Sequence, residues 1–321
     1  MPLPKTDYIW MNGEFVRWDD AKIHVLSHVM HYGSSWFEGI RAYKTPKGTA
    51  IFRLREHIER LYHSARIYYA DLPYSVDEIC QATLDIVGKN HIEECYIRPL
   101  AYRGYEELGV FPLNCPVELI IATWNWGKYL GKDAIREGVD VGVSSWNRIS
   151  PNTMPTISKA GGNYLNSQLV KIEAHRHGYS EGITLDGNGC VSEGSGQNIF
   201  FVADGKIITP SLGASILPGV TRASIITLAK EMGYEVIEGS VPRASLYTAD
   251  EIFFTGTAAE ITPVRSVDGI KIGDGTVGEI THKIQDKFFS IVCDGKDDHG
   301  WLTYVDFEKF SSDKKAAVEH N

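Results

Sequence analysis

Ser158-Lys159-Ala160-Gly161-Gly162-Asn163-Tyr164 places a single lysine in a run of small residues directly ahead of a helical segment. Lysines are ordinarily solvated surface charges. The alanine and two glycines after Lys159 change that reading, because residues without bulk let other groups come close to the amine. Further along, after a predicted strand, Ser192-Glu193-Gly194-Ser195-Gly196 sets a carboxylate in a glycine-rich turn. An acid in a loop is usually just hydrated, so neither residue is decisive alone. Together they offer an amine for a carbonyl and an anion for a protonated ring nitrogen.

A third element adds a place for an anion. Leu217-Pro218-Gly219-Val220-Thr221-Arg222 leads into a helix with Thr221 near its N-cap. Backbone N–H groups and the positive end of the dipole favour negative charge there, although ordinary capping is the plainer alternative. Gly256-Thr257-Ala258, between two strands, is a second set of small residues and amides. Amine, carboxylate and anion cradle are the parts that pyridoxal 5′-phosphate needs.

Around these motifs the pattern alternates strands and helices. Tyr8 to Met11, Asn12-Gly13 and Glu14 to Trp18 read as a hairpin, and Glu38 to Tyr43 with Thr49 to Arg53 as a second. A helix is predicted from Leu54 to Tyr68, with Leu54, Ile58, Leu61, Ala65 and Tyr68 on one face. Ser75 with Glu78 makes a capping box for a helix to Lys89. Strands at Cys95 to Tyr102 and Val117 to Trp124 complete a first α+β unit. A second unit opens with a strand at Val139 and has helices at Asn163 to His177, Thr221 to Met232 and Val277 to Val292, with strands between them.

Bulk properties exclude several classes. With 32 basic and 41 acidic residues the net charge is −9, which disfavours nucleic acid or an anionic membrane as partner. The five cysteines are odd in number and never spaced C-x-x-C, so they read as reduced thiols in a cytoplasm. No apolar run reaches bilayer-spanning length, and the N-terminus lacks a secretory signal. His28-x-x-His31 has no third ligand of suitable spacing, and no G-x-G-x-x-G joins a strand to a helix, so neither metal nor nicotinamide is expected.

The ordered set of motifs resembles the branched-chain amino acid aminotransferases, class IV aminotransferases of the fold-type IV pyridoxal phosphate enzymes. It comprises His31-Tyr32-Gly33-Ser34-Ser35, Phe37-Glu38-Gly39-Ile40-Arg41, Tyr96-Ile97-Arg98-Pro99, Ser144-Ser145-Trp146-Asn147-Arg148, the Lys159 and Glu193 segments, Leu217-Pro218-Gly219 and Gly256-Thr257-Ala258-Ala259-Glu260-Ile261. The resemblance implies an α+β fold of two domains: a small α/β domain over 1–125, a loop over 126–137, a larger cofactor domain with a β-barrel-like core over 138–305, and a tail over 306–321. It implies that Lys159 is the Schiff-base lysine and proton shuttle, that Glu193 pairs with the pyridinium nitrogen and that Tyr164 donates to the ring's phenolic oxygen. Arg60, the Val220 and Thr221 amides and Thr257 would hold the phosphate. On pattern alone Arg60 lies off the apolar helix face and faces solvent. The guanidinium fork nevertheless suits a phosphate dianion.

For substrate, the resemblance implies one pocket that takes both an apolar side chain and the second carboxylate of 2-oxoglutarate. Phe37, Gly39, Trp126, Tyr129, Leu108 and Val110 would line it, with Tyr32, Leu108 and Val110 supplied by a partner subunit of a homodimer. Arg98, with Tyr32 and Tyr129, would receive the distal carboxylate, while Tyr96 and the Thr257 and Ala258 amides would bind the α-carboxylate. The implied reaction moves the amino group of L-leucine, L-isoleucine or L-valine to 2-oxoglutarate; the alternative keeps the cofactor but takes a D-amino acid, an aromatic amino acid or a primary amine. Three positions depart from the family pattern: Trp36 for a small aliphatic residue, Gln197 for a glutamate and Cys190 for an aromatic residue. An indole at position 36 would narrow the entrance or enlarge an interface.

Overall fold

The computed structural model describes residues 3–127, 130 and 133–311, so most of the expected tail over 306–321 lies outside the described residues. Its helices are α1 (His28–Tyr32), α2 (Leu54–Arg66), α3 (Val76–Lys89), α4 (Ala134–Glu137), α5 (Tyr164–Arg176), α6 (Val220–Glu231) and α7 (Glu279–Val292). The chain divides into two compact units and passes between them repeatedly. The first holds Met1–Trp126, Ser158–Gly162 and the chain from Ser290; the second holds Gly127–Ile157 and Asn163–Phe289. The segment carrying Lys159 thus groups with the first unit, although in sequence it lies inside the region expected to form the larger domain.

The first unit is an antiparallel sheet. In spatial order its strands are Leu302–Tyr304, Gly48–Phe52, Ile40–Thr45, Cys95–Arg103, Val117–Trp124, Tyr8–Met11 and Glu14–Arg17, and Ser35–Phe37 also pairs with Cys95–Arg103. The predicted hairpin over residues 8–18 forms over 8–17, with Tyr8 opposite Arg17 and Met11 opposite Glu14, and Trp18 opens a 3-10 turn. Helix α2 buries Leu54, Ile58, Leu61 and Ala65 as its spacing requires. At the start of α3 the Ser75 Oγ accepts from the Glu78 N–H at 3.3 Å, and Glu78 Oε2 accepts from the Ser75 N–H at 2.7 Å. That capping box satisfies donors a helix start otherwise leaves without partners. Ile79, Ile86 and Val87 then join Trp10, Ile40, Ile51, Ile97, Leu119 and Ile121 in one core. Trp36 belongs to this core at 1% exposure, its ring 5.8 Å from that of Tyr68. The indole therefore fills interior volume in this unit and neither narrows an entrance nor enlarges an exposed face.

The second unit is a mixed sheet ordered Val191–Gly194, Glu181–Leu185, Val139–Val143, Glu260–Val267, Glu251–Gly256, Asn198–Ala203, Lys206–Pro210 and Val236–Gly239, with Ile270–Lys271 added to Glu260–Val267. Its two ends curl towards each other. The Val191 N–H donates to the Val241 carbonyl at 2.8 Å, and Cys190 bridges to Pro242, just past the last strand. Inside the curl lie Val141, Ile183, Ile199, Phe201, Ile252, Phe254 and Val264. Alternation along the strands puts Phe200 and Phe253 on the opposite face, where their rings stack with centroids 5.1 Å apart. Helices α4, α5 and α6 beside a curled sheet with parallel and antiparallel pairs make this the α+β architecture expected.

Candidate active site

Lys159 is held by its backbone from two sides. Its N–H donates to Ser64 Oγ on α2 at 2.9 Å, and its carbonyl accepts from the Phe37 N–H at 3.1 Å. Ser158 Oγ donates to the Ser64 carbonyl at 3.0 Å, and Ala160 bridges to Trp36. With the main chain fixed, the Lys159 ammonium reaches 5.1 Å from the centre of the Phe37 ring.

The same ring carries a second cation. The Arg98 guanidinium carbon stands 4.5 Å from the Phe37 centroid, 5.3 Å from Tyr96 and 5.7 Å from Trp124. Arg98 Nη2 donates to the Tyr96 hydroxyl at 3.3 Å, and its buried Nε has no hydrogen-bond partner among the described residues. Tyr96 is wedged by Trp126, edge-on at 4.4 Å, and by Trp124 at 5.0 Å. Gly39 makes this packing possible, because a Cβ there would overlap the Tyr96 hydroxyl. Phe37, Gly39, Tyr96, Arg98 and Trp126 are therefore one assembly with Lys159. Aromatic faces stabilise the guanidinium without neutralising it. An apolar side chain can lie against the rings, and the guanidinium is a fixed cation for a carboxylate.

Arg60 departs from its sequence reading. It is not solvent-facing: its side chain is only 11% exposed, and Nε and Nη2 donate to the two oxygens of Glu38, each at 2.7 Å. His57 Nδ1 also lies 2.7 Å from Glu38 Oε2. Glu38 is fully buried. Burial alone would raise its pKa, but the Arg60 charge and the hydrogen bonds from Arg60 and His57 hold it well below the usual carboxylate range. Burial pushes the His57 pKa down, helped by the positive charges of Arg60 and Lys159 and opposed by Glu38. A neutral His57 donating through Nδ1 to an ionised Glu38 fits both directions.

In the second unit the centre is Glu193, 4% exposed. Its Oε1 pairs with Arg148 Nη2 at 3.0 Å, and its Oε2 accepts from Asn198 Nδ2 at 2.9 Å and from the Leu217 N–H at 3.1 Å. Asn198 Nδ2 also donates to the Leu217 carbonyl at 3.0 Å, tying Glu193, which lies in the strand Val191–Gly194 and not in the turn expected, to the approach of α6. Gly219 is the N-cap of α6 and contributes no side-chain cap, and a Cβ at this position would overlap Asn198 Oδ1. Val220 and Thr221 are buried as the first two helical residues. Thr257 and Ala258 lie in the turn joining Glu251–Gly256 to Glu260–Val267, and Tyr164 is the first residue of α5. Gln197 Nε2 donates to the buried Glu181 carboxylate at 3.0 Å. A glutamate there would face that carboxylate, which accounts for the amide.

Tyr32 and Leu108 are about half exposed, and Val110 is 90% exposed. Tyr129 is outside the described residues. His28 places Nδ1 2.6 Å from Ser34 Oγ and Nε2 2.9 Å from the Gly109 carbonyl, so its ring is used in latching a loop. Among the described residues no group of three or more His, Cys, Asp or Glu is placed to hold a metal. Sequence reasoning passed over Glu38, His57, Ser64, Arg148 and Asn198. A signal existed for two of them: His57 and Ser64 flank Arg60 on α2 at helical spacing, beside the apolar stripe. Glu38 and Arg148 carry no such signal beyond their place in the motifs.

The chain matches the family model described as amino-transferase class IV over residues 35–267. It is 54% identical over 307 residues to a branched-chain-amino-acid aminotransferase of Escherichia coli (strain K12), covering 95% of this chain and 99% of that protein. A branched-chain-amino-acid aminotransferase of Pseudomonas aeruginosa is 48% identical over 92% of this chain and 97% of its own length. Among solved structures, the crystal structure of the Escherichia coli branched-chain amino acid aminotransferase superposes with a TM-score of 0.93, covering 94% of this chain and all of that one at 54% identity. The branched-chain aminotransferase of the thermophilic archaeon Thermoproteus uzoniensis, solved with norvaline, gives 0.90 at 41% identity, again covering 94% of this chain and all of that one.

Proposed function

The chain belongs to the amino-transferase class IV family, and from that premise we propose that it transfers the amino group of L-leucine, L-isoleucine or L-valine to 2-oxoglutarate, with pyridoxal 5′-phosphate as cofactor. Branched 2-oxo acids and L-glutamate are the products. The observation that carries the substrate reading is Arg98, a guanidinium caged by Phe37, Tyr96 and Trp124 and given no carboxylate partner among the described residues. A pocket that must accept leucine in one half-reaction and glutamate in the other needs aromatic walls and one fixed cation. Arg98 supplies the cation for the distal carboxylate, and Phe37 and Trp126 supply wall. In this reading Tyr32, Leu108 and Val110 of a second copy, with Tyr129, complete the rim.

The donor set fits the cofactor. Lys159 offers an amine, Glu193 a buried carboxylate, Tyr164 a phenol, and α6 an N-terminus whose cap residue has no side chain. When bound, the cofactor supplies an electron sink next to the substrate Cα. Lys159, an amine on an immobilised backbone, would take the proton from the substrate Cα and return it in the reverse half-reaction. Glu193 holds a proton on the ring nitrogen; Arg148, Asn198 and the Leu217 N–H fix its carboxylate. Tyr164 donates to the ring's phenolic oxygen. The Val220 and Thr221 amides, Thr257 and Arg60 take the phosphate. Tyr96 and the Thr257 and Ala258 amides hold the α-carboxylate, so that Cα faces the amine. A cytoplasmic setting agrees with five cysteines that form no disulfide.

Initial rates with L-leucine, L-isoleucine, L-valine and D-alanine against 2-oxoglutarate test the reading. Turnover is expected for the three branched L-amino acids and for none of them with Lys159→Ala. D-alanine turnover without L-leucine turnover would overturn the substrate class. Wild-type rates from Lys159→Ala would remove the lysine from the mechanism.

A further inference from the structure

We propose that Glu38, seconded by His57, is a positioning residue that aims the Arg60 guanidinium at the cofactor phosphate and sets that aim relative to Lys159. The proposal rests on the assignment of Arg60 to phosphate and goes beyond it to the residues that orient the fork.

A guanidinium on a long stem has many orientations, and holding one of them is where a phosphate-binding arginine gains its selectivity. Here Nε and Nη2 both donate to Glu38, so the plane of the fork is set by a carboxylate that is itself immobile. Glu38 follows Phe37, whose N–H holds the Lys159 carbonyl. Its own N–H donates to the Pro99 carbonyl at 2.8 Å, anchoring it to the Cys95–Arg103 strand. His57 adds a further donor at Oε2, leaving the carboxylate little freedom to swing.

Helix α2 makes the arrangement a ruler. His57, Arg60 and Ser64 occur at i, i+3 and i+7, so they share one face beside the buried stripe of Leu54, Ile58, Leu61 and Ala65. The first two engage Glu38 and the third receives the Lys159 N–H. One rigid helix thus spaces the phosphate-directed cation from the backbone of the reactive lysine. A carboxylate serving only to neutralise a buried arginine would not need the histidine or this shared face. Placing Glu38, His57, Arg60 and Ser64 on elements locked to the Phe37–Lys159 contact is what positioning requires.

The test compares binding of pyridoxal 5′-phosphate with pyridoxal, which lacks the phosphate, to the full-length protein freed of cofactor, read by the absorbance change on binding. In Glu38→Gln the preference for the phosphorylated form is expected to fall about tenfold or more, with pyridoxal affinity changed by less than about twofold, as for loss of a charge-assisted orienting bond. Glu38→Asp, which keeps the charge but withdraws it, should give an intermediate preference. Arg60→Ala separates the two levels of the argument. If it leaves the preference at the wild-type value, the phosphate assignment of Arg60 fails. If it abolishes the preference while Glu38→Gln retains it, positioning by Glu38 is overturned. Equal losses for both ligands in Glu38→Gln would likewise reduce Glu38 to a structural role. Should Glu38→Gln fail to fold, His57→Phe, which removes one donor only, carries the test: a smaller loss of preference is expected, and an unchanged preference would overturn the proposal.

Discussion

Single side chains divide into those whose role is written in their neighbours and those whose role comes from burial. Lys159 and Glu193 were legible because small residues surround them in sequence, and such runs are rare unless something must come close. Arg98 was legible only through the resemblance; the structure adds the aromatic cage and the unsatisfied Nε. That cage leads to a prediction. Arg98→Ala should lower kcat/KM for glutamate by about tenfold to a hundredfold, the loss typical of a charge-assisted bond, while leucine changes far less because the ring walls remain. Equal losses in steady-state kinetics would take Arg98 out of the distal-carboxylate site. Glu38, by contrast, was invisible as a charge partner: at the start of a predicted strand nothing marks it as paired until that strand and α2 are brought together. The cysteines give a second prediction at this scale. Burial pushes the Cys95 thiol up to about 12 and the Cys80 thiol up to about 11. Since the thiolate is the nucleophile, iodoacetamide at neutral pH should label the exposed Cys293 and spare both. Rapid alkylation of Cys95 in the native protein, found by peptide mapping, would contradict its burial.

Among elements, those with a strong period or an explicit terminator were readable and those made by pairing were not. Helix α3 starts where Ser75 and Glu78 form their box, and α5 ends ahead of Gly178, whose φ of 81° a side chain would resist. The strands Ser35–Phe37 and Leu302–Tyr304 were missed because three residues carry no measurable alternation; each exists only by pairing to a distant strand. The curl of the second sheet is of the same kind, for the Val191–Val241 bond joins segments that nothing local relates. Strand alternation does predict which residues the sheet depends on. Phe200 and Phe253 stack with an interplanar angle of 2° and are fully buried. Phe253→Ala should destabilise by about 3–5 kcal/mol, the transfer term plus the cavity left behind. Thermal or urea unfolding that moved by less than about 1 kcal/mol would show that the site collapses to fill the void.

At the scale of the whole molecule the surface is not uniform. The first unit exposes Val25, Met30, Tyr32, Tyr105, Leu108, Val110 and Phe111, with Val110 90% and Val25 71% accessible. These residues form one region: His24 and Tyr105 rings lie 4.6 Å apart, and His28 ties its helix to Gly109. An exposed apolar cluster of this kind, on a chain with a net charge of −9, marks a place where another surface belongs. The patch includes Tyr32, Leu108 and Val110, the residues that the proposed function assigns to a second copy's substrate pocket. The proposed homodimer, closed by two-fold symmetry, would cover both patches at once and supply both pockets. Val110→Asp then has two linked consequences, because an unpaired carboxylate in a desolvated contact costs on the order of several kcal/mol. Light scattering should find a shift from dimer to monomer at micromolar protein, and leucine turnover should fall with the dimer fraction. A variant that stays dimeric with full activity would show that this patch faces solvent in the working enzyme. A monomer with full activity would show that each chain completes its own pocket.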